Sequence, residues 1–241
     1  MVPIPSHGVI ITAAGSSSRF QNPDDLSPNL KKEFILIDDR TVLYHAVEPF
    51  LYTPGIKGIV VTYPAGRLDE TELALDNLVY AAPVPVVLVE GGETRQISVH
   101  LALQQLLDMQ LGIDFVAIHD GARPWITSEV IVQTLAIANI FGGAAPVVSI
   151  HDALKKIDSQ GMIVGQVERS ATVAVQTPQI FRFPQILEAH RKASSTTKHY
   201  VDDTEIYIDF GGMVGTSSGD RKNIKITTLG DIPICDRPRS I

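Results

Sequence analysis

Short apolar runs rich in β-branched residues recur along this 241-residue chain, with helix-period stretches between them. This alternation limits the possible folds more than any other feature. Strands are expected at 8–12, 58–62, 84–89, 115–119 and 144–149. Residues 42–51, 68–78, 94–109 and 128–141 carry apolar side chains at helical spacing instead. Strand–helix alternation predicts an α/β fold: a mostly parallel, Rossmann-like sheet with helices on both faces. Such sheets bind ligands beyond the carboxyl ends of their strands, where the strand order reverses. The strand exits richest in small and polar residues are 13–19 and 119–124, so the site is expected there.

One segment interrupts the alternation. Residues 150–157 and 162–167 are short and strand-like, and D-S-Q-G between them is a reverse-turn signal. A hairpin inserted after the fifth strand is expected, and an isolated hairpin is marginal in water. It must pack on its own domain or on a partner subunit. No internal repeat, low-complexity tract or linker divides the chain, which reads as one domain over 1–241 with a hairpin arm at about 150–170.

Composition narrows the chemistry. With 44% apolar residues the chain can bury a full core. No apolar run approaches the roughly 18 residues of a membrane span, and the N-terminal M-V-P-I-P-S-H lacks a secretory pattern. The single cysteine, Cys235, fits a reducing cytoplasm. A net charge of −7 argues against a broad nucleic-acid-binding face and, with the apolar profile, against a membrane partner. Positive charge is instead local. Arg19, Lys31, Lys32, Arg95, Arg123, Arg169 and Lys225 all fall in or beside loops that follow expected strands.

Five motifs carry these cations. In G-V-I-I-T-A-A-G-S-S-S-R-F (8–20), a buried strand opens into Ala13, Ala14, Gly15 and three serines, with Arg19 beyond. Small side chains let a polyphosphate approach backbone N–H groups, and an arginine adds a charge-assisted clamp. The same loop also reads as an ordinary α/β connection. In F-V-A-I-H-D-G-A-R-P-W (115–125), the strand delivers His119 and Asp120, Gly121 turns the chain, and Arg123 follows. Asp120 suits hydroxyl groups or a metal, and Arg123 a phosphate; an Asp–Arg pair capping the next helix is the plainer reading. In V-E-G-G-E-T-R-Q-I-S-V (89–99), two glycines allow close approach of a base and Ser98 offers a hydroxyl, although turn and N-cap chemistry explains the same residues. The remaining motifs are A-V-Q-T-P-Q-I-F (174–181) and D-R-K-N-I-K-I-T-T (220–228). Lys225 is expected on an alternating strand, opposite Ile224 and Ile226. The histidines lack metal-ligand spacing and no G-x-S-x-G elbow occurs, which leaves phosphoryl or nucleotidyl transfer by positioning and charge stabilisation.

In this order, from about Val9 to Asp231, the five motifs resemble the 2-C-methyl-D-erythritol 4-phosphate cytidylyltransferases of the non-mevalonate isoprenoid pathway. CDP-ribitol-forming cytidylyltransferases share much of the pattern and stand as the alternative; a catalytically silent nucleotide-binding module is the alternative of another class. The resemblance implies transfer from CTP, with Mg²⁺ carried mainly by the CTP phosphates and no protein metal site. It implies that Arg19, Lys32 and Lys225 are catalytic. Lys32 is preferred to Lys31 because K-E-F matches the family's Lys–polar–aromatic pattern. It implies CTP contacts from Ala13, Ala14, Gly15, Gly92, Glu93, Ser98 and Gly121, and acceptor contacts from Asp120, Arg123, Arg169 and Thr177. It also implies a homodimer in which the arm carries Arg169 to the neighbouring subunit. The sequence departs from the family in S-S-S where glycine is frequent, in the long stretch 21–30, in Glu93 where aspartate is usual, and in Ala153 where a threonine is common.

Overall fold

The computed structural model describes residues 4–15, 20 and 31–232. Arg19, Ser16 to Ser18, the stretch 21–30 and Cys235 lie outside the described residues. In chain order the elements are β1 (His7–Thr12), β2 (Leu36–Ile37), β3 (Arg40–Thr41), α1 (Val42–Leu51), β4 (Ile56–Tyr63), α2 (Leu68–Leu75), α3 (Leu78–Ala81), β5 (Val86–Glu90) and α4 (Arg95–Asp108). They continue with β6 (Phe115–Asp120), α5 (Ser128–Phe141), β7 (Gly143–Ser149), β8 (Lys155–Ile157), β9 (Ile163–Gln166), β10 (Val173–Val175), β11 (Gln179–Arg182), α6 (Phe183–Ala193), α7 (Asp203–Asp209) and β12 (Gly215–Ser218).

The five expected strands all form and lie in one eight-stranded sheet, ordered β10-β7-β11-β6-β1-β4-β5, with β12 added beside β7. β6, β1, β4 and β5 are mutually parallel, whereas β11 runs antiparallel between β6 and β7. β1 alternates between two cores. Val9 and Ile11 face α1 and α5, packing with Leu43, Val47, Phe50, Ile131 and Leu135. Ile10 faces α4 and α6, packing with Val99, Leu103, Leu106, Ile186 and Leu187. Both faces of the sheet are therefore covered, which is why its strands are apolar throughout rather than alternating.

Threonine side chains start three of the helices. Thr41, Thr94 and Thr127 accept from the N–H groups of Tyr44, Ile97 and Val130 at the heads of α1, α4 and α5. Gly142 ends α5 in the left-handed region, φ +88°. The single helix expected at 68–78 breaks at Asp76, φ +50°, into α2 and α3. The expected hairpin forms as the isolated pair β8–β9. Asp158 Oδ1 closes its turn by accepting from the N–H groups of Gln160 and Met162.

The strand expected around Lys225 does not form. Residues 220–227 run as irregular chain, because their backbone is bound by side chains rather than by a ladder. Gln176 donates to the carbonyls of Asp220 (2.8 Å) and Asn223 (3.2 Å), and Arg123 donates to that of Asn223 (2.7 Å). The Ile226 N–H donates to the Ala122 carbonyl at 2.8 Å. Ile226, fully buried, then anchors the segment among Phe20, Ile35, Ile37 and Val42.

Candidate active site

A cavity of about 680 Å³ opens at the carboxyl ends of β1, β4, β5 and β6. β1 lies between β4 on one side and β6 on the other, so this is the point where strand order reverses. Its walls include Thr12, Ala14 and Gly15 from β1 and its exit, Gly91 to Arg95 and Ser98 from the β5–α4 loop, and Asp120 at the end of β6. Lys32 and Lys225 complete it from segments almost 200 residues apart in sequence.

Asp120 is the electrostatic centre. Its carboxylate lies 3.1 Å from Lys225 Nζ, 3.3 Å from Arg123 Nε and 3.7 Å from Arg95 Nε. Burial alone would raise its pKa, but Lys225, Arg95 and Arg123 outweigh it and hold the carboxyl well below the usual carboxylate range. A permanently ionised carboxylate among fixed cations can accept from ligand hydroxyls while Lys225 stays oriented. Asp120, Glu33 and Glu93 are the carboxylates of the cavity wall. Among the described residues no group of three or more His, Cys, Asp or Glu side chains is arranged to hold a metal ion.

Beneath Asp120 lies a buried clamp. His119 Nε2 is 3.2 Å from the Arg123 carbonyl, which only accepts, so Nε2 carries the proton. Nδ1 is then the acceptor for the Thr177 hydroxyl at 2.9 Å, and Thr177 Oγ1 in turn accepts from the Asp120 N–H at 3.1 Å. Burial depresses the His119 pKa to about 4.

The two neighbouring lysines diverge. Lys31, almost fully buried, donates to the Gly15 carbonyl, and burial lowers its pKa. Lys32 lines the cavity, and its Nζ reaches the Ile226 carbonyl at 2.9 Å, next to Lys225. On the far wall the glycines set how closely the loops approach. A Cβ on Gly91 would overlap Ala14 Cβ, and one on Gly92 would overlap Ile97.

This layout can be compared with known proteins. The model of the 2-C-methyl-D-erythritol 4-phosphate cytidylyltransferases matches residues 8–237. The chain belongs to that family. It is 34% identical to the cytidylyltransferase of that name from Bacillus thuringiensis, over 95% of each protein, and 36% identical to that from Caldanaerobacter subterraneus, over 94% of this chain and 96% of the relative. The crystal structure of the Thermus thermophilus protein superposes with a TM-score of 0.72 at 26% identity, covering 96% of this chain and 97% of that one. That of 4-diphosphocytidyl-2C-methyl-D-erythritol synthase from Anaerococcus prevotii superposes at 0.79 and 23% identity, a likeness of fold.

Within this cytidylyltransferase framework the sequence-derived residues divide into three groups. Ala14, Gly15, Lys32, Gly92, Glu93, Ser98, Asp120 and Lys225 come together around the cavity. Ala13, Gly121, Thr177 and Arg123 form the layer supporting it. Ala13 is buried with its N–H on Thr62, the Gly121 N–H donates to the Thr12 carbonyl, and Thr177 and Arg123 are committed to the contacts above. Arg169 lies on the exposed chain following the hairpin and donates to the His151 carbonyl, away from the cavity of its own chain. Ala153 is likewise exposed and outside it. The Ser98 hydroxyl is engaged with the backbone of Thr94 (2.9 Å) and Gly92 (3.1 Å), which shapes the glycine loop from beneath.

Arg95, one of the loop cations of the sequence, lines the cavity and pairs with Asp203 at 2.7 Å. Its position in the first turn of a helix after a glycine pair is the sequence feature that marks it as a cavity residue. Gln176 and Gln179, inside the A-V-Q-T-P-Q-I-F motif, are structural residues whose long-range contacts leave no pattern in sequence.

Proposed function

We propose that this chain transfers the cytidylyl group of CTP to 2-C-methyl-D-erythritol 4-phosphate, giving 4-diphosphocytidyl-2-C-methyl-D-erythritol and pyrophosphate. The observation that carries this reading is the convergence of Lys32 and Lys225 on one cavity at the sheet's switch point, opposite the glycine loop after β5. The relatives named above carry that activity in their names.

An oxygen of the acceptor phosphate attacks the α-phosphorus of CTP. A P–O bond forms, the bond to the β-phosphate bridging oxygen breaks, and pyrophosphate leaves with that electron pair. Lys32 and Lys225 stabilise the charge that grows on the α-phosphoryl oxygens, and no covalent enzyme intermediate is required. Arg19, outside the described residues, is the third catalytic cation that the family resemblance implies. Mg²⁺ enters with CTP as part of the substrate and neutralises its phosphates. The glycine loop with Glu93 and Ser98 receives the cytosine, and Asp120 receives hydroxyls of the polyol.

The working unit in this reading is a homodimer. Ile157, Met162, Ile163 and Val164 on the hairpin are each 60–68% exposed, more apolar surface than a detached two-stranded ribbon leaves to water. Arg169, remote from its own cavity, then serves the acceptor phosphate of the neighbouring subunit. No helix among the described residues is long and apolar enough to cross a membrane, and with the single Cys235 a reducing cytoplasm is the matching compartment.

Pyrophosphate release decides the reaction. CTP with methylerythritol phosphate should support turnover, with UTP and ATP poor substitutes and ribitol 5-phosphate a poor acceptor. Equal kcat/KM for ATP would sink the cytidylyl assignment, and a preference for ribitol phosphate would reassign the acceptor.

A further inference from the structure

Arg95 and Asp203 form a pair that reaches the cavity from behind. Arg95 stands in the first turn of α4, with Nη2 2.7 Å from Asp203 Oδ2 and Nε 3.7 Å from Asp120 Oδ1. Asp203 is fully buried at the start of α7, a region outside every motif recognised in the sequence. Its other oxygen accepts from His190 Nε2 at 3.1 Å, and its N–H donates to Gln179 Oε1 at 3.1 Å. Gln179 also donates to Asp202 at 3.0 Å. Asp203 is thus fixed on its backbone and on one oxygen, with the second oxygen aimed at Arg95. A buried carboxylate of this kind is costly unless it is paired, and here its partner is a cation of the cavity wall.

We infer that Asp203 is a positioning residue for the transfer reaction: it holds the Arg95 guanidinium against Oδ1 of Asp120, so that the Asp120 carboxylate keeps the orientation in which it accepts acceptor hydroxyls. The inference rests on the cytidylyl-transfer reading above. The relay has a direction. Arg95 engages Oδ1, where the Thr12 hydroxyl also sits at 3.5 Å, while Lys225 and Arg123 engage Oδ2. Loosening Arg95 frees the carboxylate to rotate about its remaining contacts, yet leaves Lys225 beside it. The acceptor site therefore suffers more than the charge stabilisation at the α-phosphate. The loop from Gly91 to Thr94 keeps its own supports from Ser98 and Thr94, so CTP binding is spared.

The test is a double-mutant cycle in steady-state pyrophosphate release, using Asp203→Asn, Arg95→Gln and the double variant in full-length protein. Wild-type turnover with methylerythritol phosphate checks the reading on which the inference rests, independently of the variants. Asp203→Asn should raise the acceptor KM about tenfold or more, with kcat and the CTP KM each within about threefold. Arg95→Gln should do the same, and the double variant should be no worse than Arg95→Gln alone. Asp203→Glu, which keeps the charge, should recover part of the loss. Additive losses in the cycle, or a change confined to kcat or to the CTP KM, would overturn the relay. If Asp203→Asn does not fold by circular dichroism, Arg95→Gln decides: its side chain is partly exposed, and an unchanged acceptor KM in that variant ends the proposal.

Discussion

The Lys31 ammonium donates to the backbone carbonyl of Gly15, so the first lysine of the pair is committed to the loop beside the cavity that the second one lines. The neighbours thus have separable effects. Lys32→Ala should lower kcat by about 10²–10³-fold with a smaller change in CTP affinity, because its charge matters most as the α-phosphate develops charge. Lys31→Ala should mainly raise the CTP KM. Steady-state kinetics on both variants checks this, and the reverse pattern would exchange their roles.

Gly91 and Ala14 sit where two loops from adjacent strands touch. Because a Cβ on Gly91 would overlap the Ala14 side chain, Gly91→Ala must displace the β1 exit or the glycine loop. The CTP KM should rise about tenfold, the effect of roughly 1.4 kcal/mol, while the acceptor KM changes little. Steady-state pyrophosphate release with each substrate varied in turn measures both constants.

His119 makes stability depend on pH. Its folded pKa is depressed to about 4, below the ordinary 6.5, so the unfolded chain takes up the proton first. Stability is therefore lost as pH falls from about 6.5 to about 4, at up to about 1.4 kcal/mol per unit, and this contribution levels off below that. Asp120 and Asp203, both depressed, add their own losses as pH falls from the ordinary carboxylate value toward their lower folded values. Denaturant unfolding of the wild type and His119→Gln between pH 7 and 4.5 should show the steeper fall in the wild type; parallel curves would refute it.

The arm can be tested by subunit mixing. Arg169→Ala and Lys225→Ala should each be nearly inactive, and a mixture in which exchange has been verified should regain activity. One of the two sites in each heterodimer then has both residues intact. Activity that stays at the level of the separate variants would return Arg169 to a role within its own chain.

Strand–helix alternation made the order of the central elements readable, because each strand buried on both faces is continuously apolar and each helix repeats at its own period. Five expected strands and the turn at 158–161 form close to their expected bounds. The late elements β10, β11, α6, α7 and β12 carry no comparable signal in the sequence. Several are short, and β11 is placed by antiparallel pairing between β6 and β7 rather than by any local signal.

The five central strands, the small-residue strand exits and the identity of the cations are legible in the sequence, since each follows from local periodicity or from residue type. Which of these cations line the cavity follows from packing across the whole fold. Lys31 and Lys32 differ by one position, yet one is bound to Gly15 and the other lines the cavity. The Thr177 hydroxyl meets His119 and Arg123 meets the Asn223 carbonyl, both beneath Asp120, while Arg95, on the cavity wall, pairs with a carboxylate 108 positions away in sequence. Such assignments depend on where a side chain ends after packing, and neighbours in sequence do not encode that direction.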